Sequence, residues 1–168
     1  MTGSVRILGI DPGSRFTGYG IIDTEADRIT WVHHGTIRTD GDDFPARLAQ
    51  IHAGIGEVLE AYGPGEVAIE RVFVHRNADS ALKLGHARAA AICATFAHTV
   101  TLHEYAPRAV KQAVTGRGAA GKEQVSQMVR MLLRLQENIP ADAADALAVA
   151  ICHSHSRRLN SRVAGTMS

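Results

Sequence analysis

A chain that runs Ile7-Leu8-Gly9-Ile10-Asp11-Pro12-Gly13 and then Phe16-Thr17-Gly18-Tyr19-Gly20-Ile21-Ile22 has few ways to continue other than folding back on itself. A short apolar run ends on an acid. Asp-Pro-Gly then turns the chain, because Asp suits the first turn position, Pro fixes the next φ and Gly accepts φ > 0. A second apolar run leads back, so the stretch predicts two adjacent strands with Asp11 at the exit of the first. The glycines leave backbone open to close approach by another element. Taken alone, Asp11 reads equally well as an acid that only braces its own turn.

Arg28 to Ile37 is rich in β-formers and predicts a third strand, which completes an antiparallel meander. Leu48, Ile51, Ile55, Val58 and Tyr62 follow 3-4-3-4 spacing, the pattern of a one-faced amphipathic helix, and Gly63-Pro64-Gly65 stops it. Glu66 to Glu70 is again apolar and again ends on an acid. With a helix between them, this strand should lie parallel to the first. Residues 79–98 predict a helix with two apolar stripes, one carrying Leu82, Gly85, Ala89, Ile92 and Phe96 and the other Ala81, Leu84, Ala91 and Ala94. One stripe is expected on the sheet and the other on a second copy of the chain. Val100 to Tyr105 predicts a fifth strand. A short helix after Pro107, the loop Gly116–Gly121, a helix carrying Val125 to Leu133 and a last helix opened by Pro140 complete the order. The expectation is an α/β protein: a mixed five-stranded sheet, three antiparallel strands then two parallel, with helices on both faces. This order resembles the ribonuclease-H-like fold. Residues 1–158 are expected to form a single domain and residues 159–168 a flexible C-terminal tail.

With 168 residues, 45% of them hydrophobic, the chain can bury one real core. Net charge is near neutral, but its distribution is not. Residues 1–70 carry 5 basic and 11 acidic side chains, whereas residues 71–134 carry 10 basic and 3 acidic. That polarity fits a basic surface beside an acidic site, as in proteins that handle nucleic acid near a metal. Cys93 and Cys152 both fall in apolar helical runs and read as buried, inert thiols. The N-terminal stretch lacks a signal peptide's apolar segment, and the longest uncharged run, residues 89–103, is short of the roughly 20 residues a membrane helix needs. A cytoplasmic protein with no membrane partner is expected.

Four acids carry the chemistry. Asp11 and Glu70 end two strands expected to be parallel neighbours. Asp142 and Asp145, three residues apart, share one face at the start of the last helix. Singly, each has an ordinary explanation: a strand-end glutamate pairs with an arginine, and acids gather in first turns because the helix dipole favours them. Together they converge where the sheet's connections diverge, the usual place for a site in an open sheet. Four converging carboxylates repel one another unless cations neutralise them. Oxygen donors select Mg²⁺, with Mn²⁺ as a substitute. Two such ions, about 3.5–4 Å apart, would serve phosphodiester hydrolysis.

Gly-Ile-Asp11-Pro-Gly, Ala-Ile-Glu70 with the following Phe73, Asn77-Ala78-Asp79-Ser80-Ala81-Leu82-Lys83-Leu84-Gly85 and Asp142-Ala-Ala-Asp145-Ala-Leu together resemble the RuvC family of bacterial Holliday-junction resolvases, in the family's order and over roughly residues 5–155. The resemblance implies that Asp11, Glu70, Asp142 and Asp145 are the metal-binding catalytic acids. It also implies a homodimer that resolves four-way DNA junctions by paired symmetric nicks in recombination and repair. The partner would be a branch-migration motor complex of the RuvA and RuvB type. At the position of Phe73 the family carries an aromatic that engages junction bases.

Phe73 follows Glu70 in a segment flanked by Arg71, His75 and Arg76, which reads as a surface for nucleic acid, although an apolar aromatic is also a natural core cap. Arg76, Lys111, Arg117 and Lys122 are the candidate phosphate contacts. Residues 116–123, Gly-Arg-Gly-Ala-Ala-Gly-Lys-Glu, nearly spell a nucleotide-binding loop, but Glu123 stands where that loop needs Ser or Thr, and a helix precedes it. The runner-up is a related ribonuclease-H-like nuclease acting on structured RNA. A junction-binding protein without cleavage would have no use for all four acids.

Overall fold

The computed structural model describes residues 3–73 and 77–166. The Asp-Pro-Gly hairpin forms as expected. β1 (Val5–Asp11) pairs antiparallel with β2 (Phe16–Glu25), which pairs antiparallel with β3 (Arg28–Arg38). Thr17 closes the turn, its hydroxyl donating to the Gly13 carbonyl at 2.9 Å. α1 (Phe44–Tyr62) starts at Asp43, whose carboxylate accepts from the Ala46 amide, and stops at Gly63, which takes φ 55°. It crosses to β4 (Glu66–Glu70), parallel to β1, and α2 (Ala78–Thr95) crosses to β5 (Thr101–Tyr105), parallel to β4. α3 (Pro107–Thr115), α4 (Lys122–Leu133) and α5 (Ala141–Thr166) follow. The sheet order is β3-β2-β1-β4-β5, the expected mixed five-stranded sheet with helices on both faces.

Two cores flank the sheet. Leu8, Ile10, Ile21, Val67 and Ile69 pack against α1 and the buried alanines of α2. Ile7, Ile22 and Ala68 pack against α3, α4 and α5 on the other side. α5 lies unusually close to the sheet, because a Cβ on Gly9 would sit 2.0 Å from the Ala146 carbonyl oxygen and one on Gly18 would sit 2.0 Å from that of Asp142. Bare backbone at these two strand positions is the seat of the helix.

Three expectations need correction. α5 does not end near Arg158 but continues to Thr166, and Arg158 and Arg162 both reach Asp27 on the β2–β3 turn, at 2.7 and 3.3 Å. The α2 stripe with Ala87, Ala91 and Ala94 leans chiefly on α1 rather than directly on the sheet. On its other side Leu82 and Phe96 stand 64% and 75% exposed. Cys93 is exposed, because it falls on that outer side of α2, while Cys152 is buried as expected. No helix among the described residues is long and apolar enough to cross a membrane.

Candidate active site

The Ile10–Ile69 pair is the last rung between β1 and β4, so Asp11 and Glu70 stand side by side one step beyond it. Alternation along each strand turns both toward α5, since Ile7 and Ala68 face that helix while Leu8, Ile10, Val67 and Ile69 face away. The glycine seat brings the first turns of α5 over the same corner, and with them Asp142 and Asp145. Three elements distant in sequence thus deliver four carboxylates to one place.

The electrostatics bear the strain of that arrangement. Burial, and then the charges of Asp145, Glu70 and Asp142, push the Asp11 carboxyl up to about 8, against a smaller pull from Lys122. Burial and Asp145 also raise Glu70, opposed by Lys111 and Lys122. Asp145 is raised by burial first, with Lys122 the largest opposing influence. The Lys122 ammonium lies 3.6 Å from Asp145, but its side chain is 86% exposed and the pairing is loose. The acids are therefore gathered without being neutralised, and their donor set, oxygen only, fits a hard divalent cation.

Of the residues singled out from sequence, Lys111 and Lys122 join the acids. Both line a hollow with Glu70 and Asp145. Lys122 is the first residue of α4, immediately after the loop. Phe73 is 52% exposed and lines a second hollow with Asp11, Glu70 and Leu84, so it does not cap the core. Arg117 stands exposed on the loop between α3 and α4. Arg76 lies outside the described residues.

Sequence reasoning missed a second ionisable group. Glu66, at the start of β4, meets His103 and His153, with one ligand-type atom of each within 4.8 Å of the others. Each member already has a partner, however. His153 Nδ1 meets the Tyr105 hydroxyl at 2.6 Å, its Nε2 meets Glu66, and Arg157 Nε donates to the same Glu66 oxygen at 2.7 Å. His103 Nε2 is 3.1 Å from the Thr101 hydroxyl. A cation there would have to displace Arg157. No local motif announces this group, since its members come from β4, β5 and α5.

The sequence profile of crossover junction endodeoxyribonuclease RuvC matches residues 7–153. A crossover junction endodeoxyribonuclease RuvC of Methylococcus capsulatus is 54% identical over 158 residues, 94% of this chain and 95% of that protein. The structure of Thermus thermophilus RuvC in complex with a Holliday junction substrate superposes with TM-score 0.86 at 36% identity, covering 93% of this chain and 96% of that one. The yeast mitochondrial Holliday junction resolvase Ydc2 shares the fold, with TM-score 0.68 at 15% identity over 93% of this chain and 80% of that one.

Proposed function

The chain belongs to the RuvC family of crossover junction endodeoxyribonucleases, and on that footing we propose that it resolves four-way DNA junctions by paired hydrolytic nicks. The observation that carries the proposal is the convergence of Asp11, Glu70, Asp142 and Asp145 at one corner of the sheet, with Asp11 held near 8 by burial and by the other three. Charges so poorly compensated suit a site that receives cations, and oxygen-only donors suit Mg²⁺, two ions per site, with Mn²⁺ able to stand in. Magnesium held there would polarise the scissile phosphate and make a water acidic enough to attack it. The chain's own part is to hold and orient. Asp11 and Glu70 are fixed by the β1–β4 register, while Asp142 and Asp145 are carried by a helix whose close seat on the sheet depends on the missing Cβ atoms of Gly9 and Gly18. Lys111 and Lys122 keep positive charge beside the acids, and they would meet the phosphate backbone. Phe73, exposed at the rim, would stack on a base opened at the crossover.

Symmetric nicking calls for two such sites related by a twofold axis. The outer side of α2, with exposed Leu82, Ala89 and Phe96, is the apolar surface we assign to the homodimer. Its work on chromosomal DNA, beside a branch-migration motor of the RuvA and RuvB type, would place it in the cytoplasm. The test is incubation of the purified protein with a synthetic four-way junction, a linear duplex and a structured RNA, each with and without Mg²⁺. Symmetric, Mg²⁺-dependent cuts in the junction alone are expected. Cleavage confined to the RNA, or unchanged by chelation, would overturn the proposal.

A further inference from the structure

Glu70 is the last residue of β4, and the strand's end is held in an uncommon way. Arg88, on α2, donates its Nε to the main-chain carbonyl of Glu70 at 3.0 Å, and its Nη2 pairs with the carboxylate of Glu104 on β5. The Arg88 side chain is only 18% exposed. The next amide, that of Arg71, bonds back to the Tyr105 carbonyl at 2.8 Å, and the chain then leaves the sheet toward Phe73. We propose that Arg88 is a positioning residue: its guanidinium clamps the last peptide of β4 between α2 and β5 and so sets how the Glu70 carboxylate enters the acid cluster. This rests on the reading of Glu70 as a cation-binding acid.

Three observations carry the clamp. A planar guanidinium can serve a carbonyl and a carboxylate at once in fixed directions, whereas an ammonium cannot hold both with the same geometry. The bond falls on the peptide of the acid itself, where a small rotation redirects a carboxylate that receives no hydrogen bond of its own from the described residues. Lastly, Arg88 lies between the buried stripe of Ala87 and Ala91 and the exposed stripe of Ala89. Whatever covers the outer side of α2 therefore bears on the residue next to the clamp. The acid's orientation and the helix's packing become parts of one device.

The test uses Arg88→Met, which keeps the apolar stem and removes both donors, with Arg88→Lys and Glu104→Gln beside it. Mg²⁺ titrations are read two ways, as the shift in melting temperature and as junction cleavage. In Arg88→Met both midpoints should move to Mg²⁺ concentrations about 10- to 100-fold higher, the usual scale for loss of an orienting partner behind a metal ligand. KM for the junction and the sedimentation coefficient should stay unchanged. Arg88→Lys should recover part of the loss, and Glu104→Gln, which spares the bond to Glu70, should lose less than Arg88→Met. If Arg88→Met does not fold, Arg88→Lys carries the test, since its midpoint must still rise. An unchanged Mg²⁺ midpoint in the folded variants, or a loss of cleavage without any change in it, would overturn the clamp. Glu70→Gln in the same titration separates the two ideas: if it takes Mg²⁺ like the native chain, the role of Glu70 fails, whatever Arg88 does.

Discussion

β4 is five residues long and carries a glutamate at each end, both turned toward α5, and the two could hardly be placed more differently. Glu66 is answered on every side: His153 and Arg157 share one of its oxygens, and Tyr105 completes the chain of contacts. Glu70 stands near Asp11 and Asp145 with two lysines that do not balance them, and its carboxyl is raised by burial and by Asp145. One strand thus displays the difference between a polar group that stabilises a fold and one that the fold must be built to hold. A satisfied buried pair ties elements together, whereas an unsatisfied one marks a place where something else is expected to bind.

The largest way to break this contrast is to remove the charge at each end and watch cleavage. Glu70→Gln, like Asp11→Asn, should lower single-turnover cleavage of a junction by on the order of a thousandfold or more, the several kcal/mol that metal-assisted charge stabilisation supplies. Glu66→Gln should leave the rate within a few fold. Comparable losses at both ends would erase the distinction. Stability should rank them in the reverse order. Glu66→Gln strands a buried histidine and an arginine, and should cost about 1–3 kcal/mol by denaturant midpoint. Glu70→Gln and Asp11→Asn relieve repulsion and should melt no lower than the native chain in the absence of divalent cation. Phe73→Ala sharpens the picture at the Glu70 end. At 52% exposure it should cost little stability, yet slow cleavage about ten- to a hundredfold if its ring is worth the roughly 1–3 kcal/mol of a stacked base. A large fall in melting temperature would return Phe73 to a packing role.

The two ends of β4 also differ in how far they can be read from the chain. Glu70 is legible because strand grammar, an acid at the exit and the matching Asp11 all lie in short stretches. The helical spacing of Asp142 and Asp145 is local too. Glu66 is invisible as a partner of His153, since the contact spans 87 residues and no periodicity links them. The glycines of β1 and β2 could be read as places of close approach, but not that α5 is what approaches them. The start of α4 at Lys122 has no capping signal, because Gly121 before it offers no side-chain cap. Likewise the last helix looked finished near Arg158, since the Asp27 that meets Arg158 and Arg162 lies more than 130 residues earlier in the chain. What was missed is non-local pairing; what was found rests on local pattern.

The central claim is that the acids at the Glu70 end form an uncompensated seat for divalent cation, and the melting temperature of the native chain and of Asp11→Asn across pH 6 to 8.5, with and without Mg²⁺, tests it most directly. The Asp11 carboxyl has a pKa of about 8 in the fold against 3.8 in the free residue, so the fold binds a proton that the unfolded chain has released. Without cation, the stability this proton confers is complete below about 3.8 and is lost as pH rises toward 8. Mg²⁺ should replace the proton, so its stabilising shift should be small at pH 6, grow through pH 8 and be largely absent in Asp11→Asn. A Mg²⁺ shift that is independent of pH, or equal in the native chain and in Asp11→Asn, would contradict the claim.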